Sequence, residues 1–259
     1  MAGCLQVSRD RDGRLLRLRL SRPKANIVDA EMIAALDAAL AAAGREAPGA
    51  PALRGVLLEH EGPHFSFGAS VQEHLPESCA AMLRSLHALV LRMVDFPLPI
   101  LVAVRGQCLG GGLEVAAAGH LIFAAPDARM GQPEILLGVF APAASCLLPE
   151  RVGQGAADDL LWSGRSVDGR EAHRLGLVNA VADDPEAAAL AWFDEHLAGR
   201  SAASLRLAVE ASRRDLRARV REKLASVEEL YLTRLMKTRD AVEGLTAFLE
   251  KRAPVWEDR

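Results

Sequence analysis

A chain of 259 residues, half of them apolar, is long enough to bury a sizeable core as one large domain or as a domain with an appendage. A net charge of −3 excludes a global basic field for nucleic acid or membrane, and a single Tyr argues against base-stacking platforms. No apolar run reaches the about 20 residues of a membrane span, MAGCLQVSRDRDG contains no signal-peptide apolar region, and the four cysteines are scattered without a CxxC, so a cytoplasmic protein with reduced thiols is expected.

In chain order, residues 5–7 and 14–20 read as two strands around the turn Asp10-Arg11-Asp12-Gly13. Leu16, Leu18 and Leu20 alternate with Arg17 and Arg19, which predicts one wet face. After a loop at residues 22–26, Asp29 is placed to cap a helix over 30–43, with Ile33, Leu36 and Leu40 on one stripe. A linker over 44–51 leads to a buried strand at 55–58. A turn with a short extended piece follows over 61–70, and then a helix from about residue 77 to 94. The β-branched run 100–104 reads as a second buried strand. It breaks at Arg105-Gly106, crosses Gly110-Gly111-Gly112 and enters a helix over 113–118. A strand at 120–124 and a Pro- and Asp-bearing turn lead to Gly131-Gln132-Pro133-Glu134. Beyond Gly138, helices are expected at 143–151, 155–161, 168–175 and 185–198, and residues 201–251 read as helical with a break near Thr238. Strand, strand, helix occurs about twice, which points to a layered α/β core, residues 1–198, rather than a plain doubly wound sheet. The rest, 199–259, reads as a helical appendage in subunit contact, its Arg and Lys between residues 206 and 223 forming a solvated face.

The chemistry concentrates in residues 100–138. The glycines stand where a helix starts, so the first backbone N–H groups lack a partner within the helix and can hold a developing negative charge. Glu114 lies three residues after Gly111, on the face of that free end, and Glu134 follows a rigid Pro133 beyond the next strand. A carboxylate early in a helix often serves only its dipole, and a Glu after Pro is most often a surface residue. Two of them flanking three glycines in the most apolar part of the chain suggest acid–base chemistry on a carbonyl compound, since burial would tune both to proton transfer near neutrality. His60-Glu61-Gly62-Pro63-His64 matches H-E-x-x-H, but Gly62-Pro63 breaks the helix that a zinc site needs, so no metal is expected. No Walker lysine and no G-x-S-x-G is present, and the two G-x-G starts at Gly110 and Gly153 lack the third glycine.

From RPKAN through FSFGAS, GQCLGGGLEVAAAG and MGQPEILLG to EGLTAFLEKR, the chain resembles the crotonase (enoyl-CoA hydratase/isomerase) family end to end. GGGxE followed about twenty residues later by GQPE is a specific combination. The resemblance implies a spiral of ββα units with a C-terminal helical oligomerisation region, forming a homotrimer or homohexamer. It implies an oxyanion hole from the N–H groups of Ala69 and Gly111, and hydratase acids at Glu114 and Glu134. The coenzyme A part of the substrate would lie along Lys24, Ala25 and Phe67, with Lys251 of the same or an adjacent subunit at its phosphates, and no separate cofactor is implied. Three departures from the common pattern stand out: Ser70 where an Asp is usual, bulky Phe67 before Gly68, and Phe140-Ala141-Pro142-Ala143-Ala144-Ser145 where PGAGG is typical. With KANIVDAEMIAAL, GPHFSFGASV, GVFAPAASCLLP and LLWSGRS, these resemble the branch of the family that hydrates a cyclic conjugated dienoyl-CoA in anaerobic benzoyl-CoA degradation. The alternatives are a hydratase of linear 2-enoyl-CoA, a non-catalytic nucleic-acid-binding or scaffolding member, and a carboxyltransferase-like protein. The acidic pI weighs against the second and the paired glutamates against the third.

Overall fold

The computed structural model of the chain describes residues 3–44 and 52–259; most of the expected 44–51 linker lies outside them. The hairpin β1 (Leu5–Asp10) and β2 (Leu15–Leu20) is followed by α1 (Ala30–Ala43), β3 (Gly55–His60) and α2 (Cys79–Val94). A tighter repeat comes next: β4 (Ile100–Val104), β5 (Gln107–Leu109), α3 (Gly111–Ala118), β6 (Leu121–Ala124) and β7 (Arg129–Gly131). The chain then runs through α4 (Pro142–Val152), α5 (Gln154–Ser163), β8 (Ser166–Val167), α6 (Gly169–Leu175) and β9 (Ala180–Val181). It ends in α7 (Pro185–His196), α8 (Ala202–Thr233) and α9 (Arg239–Leu249). Asp29 caps α1 as expected, its carboxylate accepting the Met32 N–H at 3.0 Å, and Thr238 breaks the C-terminal helices by capping α9.

The main sheet has the order β1-β2-β3-β4-β6-β9, parallel except for the β1–β2 hairpin. Both of its faces are covered, which accounts for the unbroken apolar runs of β3 and β4. Val56, Leu58, Ile100, Val102 and Val104 point into the main core with residues of α1, α2 and α3, while Leu57, Leu101 and Phe123 turn the other way onto Phe193 of α7. A small sheet, β5-β7-β8, splits away and carries the glycine-rich segments that flank the site.

One local expectation changes, and one is borne out. Arg17 and Arg19 do not face open water: both reach the buried carboxylate of Glu59, at 2.8 and 3.0 Å, and Glu186 of α7 joins them. The strand's polar face is covered by a neighbouring strand and helix, so its charges are held as an ion-pair layer. The H-E-x-x-H segment is a strand end and turn. His60 Nε2 accepts the Arg105 N–H and His64 Nδ1 the Gln107 N–H, both at 3.2 Å, tying the turn to β4 and β5. Burial also holds the His60 imidazole down at about 4.

α8 lays Val220, Leu224 and Tyr231 into the same core as the sheet, and α9 adds Ala241 and Leu245. Among the described residues no helix is long and apolar enough to cross a membrane.

Candidate active site

Each of the three consecutive glycines leaves room for a different neighbour. A Cβ at Gly110, whose φ is +49°, would lie 2.5 Å from Glu134 Oε1; one at Gly111 would lie 2.8 Å from Ala69 Cβ; one at Gly112 would lie 2.6 Å from Ser66 Cβ. Only glycine lets the start of α3 meet both the 66–69 loop and the turn bearing Glu134. The backbone around this junction is committed: Val28 N–H donates to Gly68 O, Gly68 N–H to Ser66 Oγ and Gly110 N–H to Gly131 O, each at 3.0 Å. The N–H groups of Ala69 and Gly111 take no partner among the described residues, and the Gly111 Cβ position is only 3.0 Å from Ala69 N. Two free donors from separate loops thus stand side by side, the second at the positive end of α3.

Glu114 follows one turn into α3 and is 3 % exposed, with Oε1 accepting the Ala144 N–H at 2.8 Å from the start of α4. Burial raises its carboxyl above the usual carboxylate range, opposed by the Ala144 amide and by the charge of His87. Glu134, half-buried in the 3₁₀ turn Pro133–Leu137, is pushed up to about 8 by burial and then by the charge of Glu114. The buried Gln132 amide reaches both Glu134 oxygens, at 2.9 and 3.1 Å, when its nitrogen faces them. A carboxyl that stays protonated near neutrality can give a proton; a neighbour held by a backbone N–H is the better acceptor.

Above these groups lies a cavity of about 670 Å³, lined by Phe67, Ala69, Gly110 and Glu134 and closed on the far side by Leu245 and Phe248 of α9. Among the expected binding residues, Phe67 lines the cavity, is 45 % exposed and stacks edge-on against His64. The Ala25 carbonyl accepts the Phe67 N–H at 2.9 Å, which places Ala25 beside it. Lys24 and Lys251 are exposed and do not line the cavity; Lys251 stands two residues beyond Leu249, which does. Phe140, in the segment that departs from PGAGG, does not line the cavity and packs edge-on against Tyr231 with ring centroids 5.1 Å apart. Its segment still starts a helix at the site, because Pro142 occupies the first helical position of α4. The structure therefore sets Phe67, Ala69 and Glu134 on the cavity wall, with Gly111 against Ala69 and Glu114 within electrostatic reach of Glu134 just behind it, and leaves the two lysines outside.

The sequence reasoning did not single out His87, Gln132, Glu228 or Tyr231. The one available signal for Tyr231 was that it is the chain's only tyrosine. Among the described residues, no group of three or more His, Cys, Asp or Glu is placed to hold a metal ion.

Residues 10–259 match the enoyl-CoA hydratase/isomerase family. The chain is 69 % identical to the cyclohexa-1,5-dienecarbonyl-CoA hydratase of Thauera aromatica, over 98 % of this chain and 97 % of that one. A probable enoyl-CoA hydratase of Bacillus subtilis is 32 % identical, over 92 % and 93 % of the two chains. An enoyl-CoA hydratase/isomerase crystal structure from Pseudoalteromonas atlantica superposes with a TM-score of 0.82 at 30 % identity, covering 98 % of this chain and 99 % of that one. With a match over residues 10–259 and a relative 69 % identical over nearly its whole length, the chain belongs to the enoyl-CoA hydratase/isomerase family, that of the crotonases.

Proposed function

We propose that this protein hydrates cyclohexa-1,5-diene-1-carbonyl-CoA to 6-hydroxycyclohex-1-ene-1-carbonyl-CoA in anaerobic benzoyl-CoA degradation. The observation that carries the hydration chemistry is the pair of acids raised by burial beneath two free amides. The choice of ring is supported by the 69 % identity to the Thauera aromatica enzyme, and Phe67 on the cavity wall fits a compact planar ring.

The Ala69 and Gly111 N–H groups polarise the thioester carbonyl and hold the charge that moves onto its oxygen. Glu114, held by the Ala144 N–H, takes a proton from water as hydroxide adds at C2, β to the thioester. The charge delocalises through C1 to the second double bond, Glu134 delivers its proton to C5, and the remaining double bond shifts to C1–C6. Renumbered, that 1,4-adduct is the 6-hydroxy product. Coenzyme A enters only as part of the substrate, running past Ala25 and Phe67 with Lys24 and Lys251 toward its phosphates. The assembly is a trimer or hexamer, and the compartment is the cytoplasm.

The reading is tested by product analysis in D₂O. NMR should show one deuterium at C3 of the product, the carbon derived from C5, and the hydroxyl at C6, bonded directly to the ring carbon that carries the thioester. A product deuterated at C1, next to the carbonyl, would replace this route with ordinary 1,2-hydration.

A further inference from the structure

The long helix α8 meets elements that surround Glu114: α2, which carries His87, and α4, whose Ala144 N–H holds the Glu114 carboxylate. Leu224, Glu228 and Tyr231 recur at i, i+4 and i+7, one stripe of that helix, and α8 packs on α2 and α4. Glu228 Oε2 lies 2.5 Å from Nδ1 of the buried His87 on α2, and the charge of His87 acts in turn on Glu114. One turn on, Tyr231 is fully buried. Its ring stands edge-on against Phe140, at 72°, where the segment linking the two acids begins. Along that segment Val139 N–H donates to Glu134 O at 3.2 Å, and Ala144 N–H donates to Glu114 Oε1.

The Tyr231 hydroxyl is closed off from solvent and meets no partner among the described residues. Burial, followed by Cys79, Glu134 and Glu114, pushes the phenol well above its ordinary range, so it remains a donor wherever the enzyme works. A phenylalanine would keep the edge-on packing and avoid a buried hydroxyl without a partner, which is costly in the folded chain. A buried hydroxyl without a protein partner, beside the segment that ties the two acids, has a use in the chemistry between them.

We propose that Tyr231 is a positioning residue of the hydration step, its hydroxyl donating to the water held between Glu114 and Glu134. The water then gives a proton to Glu114 while its remaining lone pair points at the ring carbon. This rests on the hydratase reading above. Tyr231→Phe should lower kcat for the dienoyl-CoA by ~10-fold or more with KM nearly unchanged. Its Tm should stay close to that of wild type, since the ring packing is kept and a single hydrogen bond to water is removed. Because Tyr231 is the single tyrosine, 3-fluorotyrosine labels this position alone, and its ¹⁹F resonance should move in Glu114→Gln and Glu134→Gln. A kcat within about twofold of wild type, or a resonance indifferent to both glutamate variants, overturns the proposal. Should Tyr231→Phe fail to fold, the resonance alone decides. Wild-type protein that hydrates neither dienoyl- nor enoyl-CoA would overturn the hydratase reading instead, and the resonance still reports whether the hydroxyl faces the acids.

Discussion

In the proposed mechanism Glu114 and Glu134 supply the acid–base chemistry at a cost to the fold. Both titrate above the ordinary range in the folded chain, so the native state retains protons that the unfolded chain releases above about pH 4.3. Their stabilising contribution is complete below that pH and is lost as pH rises through about 8, the value reached by Glu134. Glu134→Gln removes this penalty. By calorimetry its Tm should exceed wild type at alkaline pH by about 2 °C or more, and the gain should vanish in acid; a Tm below wild type under alkaline conditions would contradict the buried-acid account. The same protonation sets activity, since the donor must be neutral: kcat should fall as pH passes about 8. At the amide pair, Gly111→Ala puts a methyl within 2.8 Å of Ala69 Cβ and forces the two donors apart. It should reduce kcat by ~10²–10³-fold, the range for losing one oxyanion donor. An unchanged kcat in the folded variant would remove these amides from the mechanism. Glycines and carboxylates at fixed spacing made this much of the site legible in the sequence. Tyr231 and His87 were not, because their apolar helical settings read as ordinary core and only the packing of α8 on α2 brings them near the acids.

The C-terminal helices serve the site as well as the surface. Gly244 lets α9 rest on the turn that carries Glu134, where a Cβ would meet Leu137 O at 2.1 Å, and this contact sets Leu245 and Phe248 as the far wall of the cavity. α8 carries Leu224, 2 % exposed, into the common core. Leu224→Ala should therefore cost about 2–5 kcal/mol in urea unfolding, as for a core leucine, and a loss under 1 kcal/mol would mark α8 as a loosely attached appendage. Helix boundaries were readable wherever a cap stood in the sequence, as with Asp29 and Thr238. The small sheet was not, because β5, β7 and β8 are two or three residues long and have no period to detect. Arg17 and Arg19 misled for a related reason: alternation reveals a polar face but not that Glu59 and Glu186 cover it.

At the scale of the whole molecule, Trp162, Leu136, Ile135, Val255 and Trp256 remain exposed, and Ile135, Leu136 and Trp256 line one depression, apolar surface that a second copy could cover. Ile135 and Leu136 belong to the turn of Glu134, so their burial by another copy would brace the acid proposed to donate the proton. Light scattering should give three or six times the 27.7 kDa chain mass, and a monodisperse monomer at micromolar concentration would contradict this. The layered α/β order was legible from strand and helix periodicity, whereas the sharing of one core by the sheet and α8 was not, since it depends on contacts far apart in the chain. The central claim, that the two acids hydrate a ring, is tested most directly by steady-state kinetics on cyclohexa-1,5-diene-1-carbonyl-CoA and crotonyl-CoA side by side. The wild-type kcat/KM should be at least ~10-fold higher for the cyclic dienoyl-CoA, the scale of discrimination by pocket shape. Glu114→Gln and Glu134→Gln should each lower kcat on it by ~10²-fold or more. A higher kcat/KM for crotonyl-CoA, or either variant retaining more than about a tenth of wild-type kcat, would contradict the account.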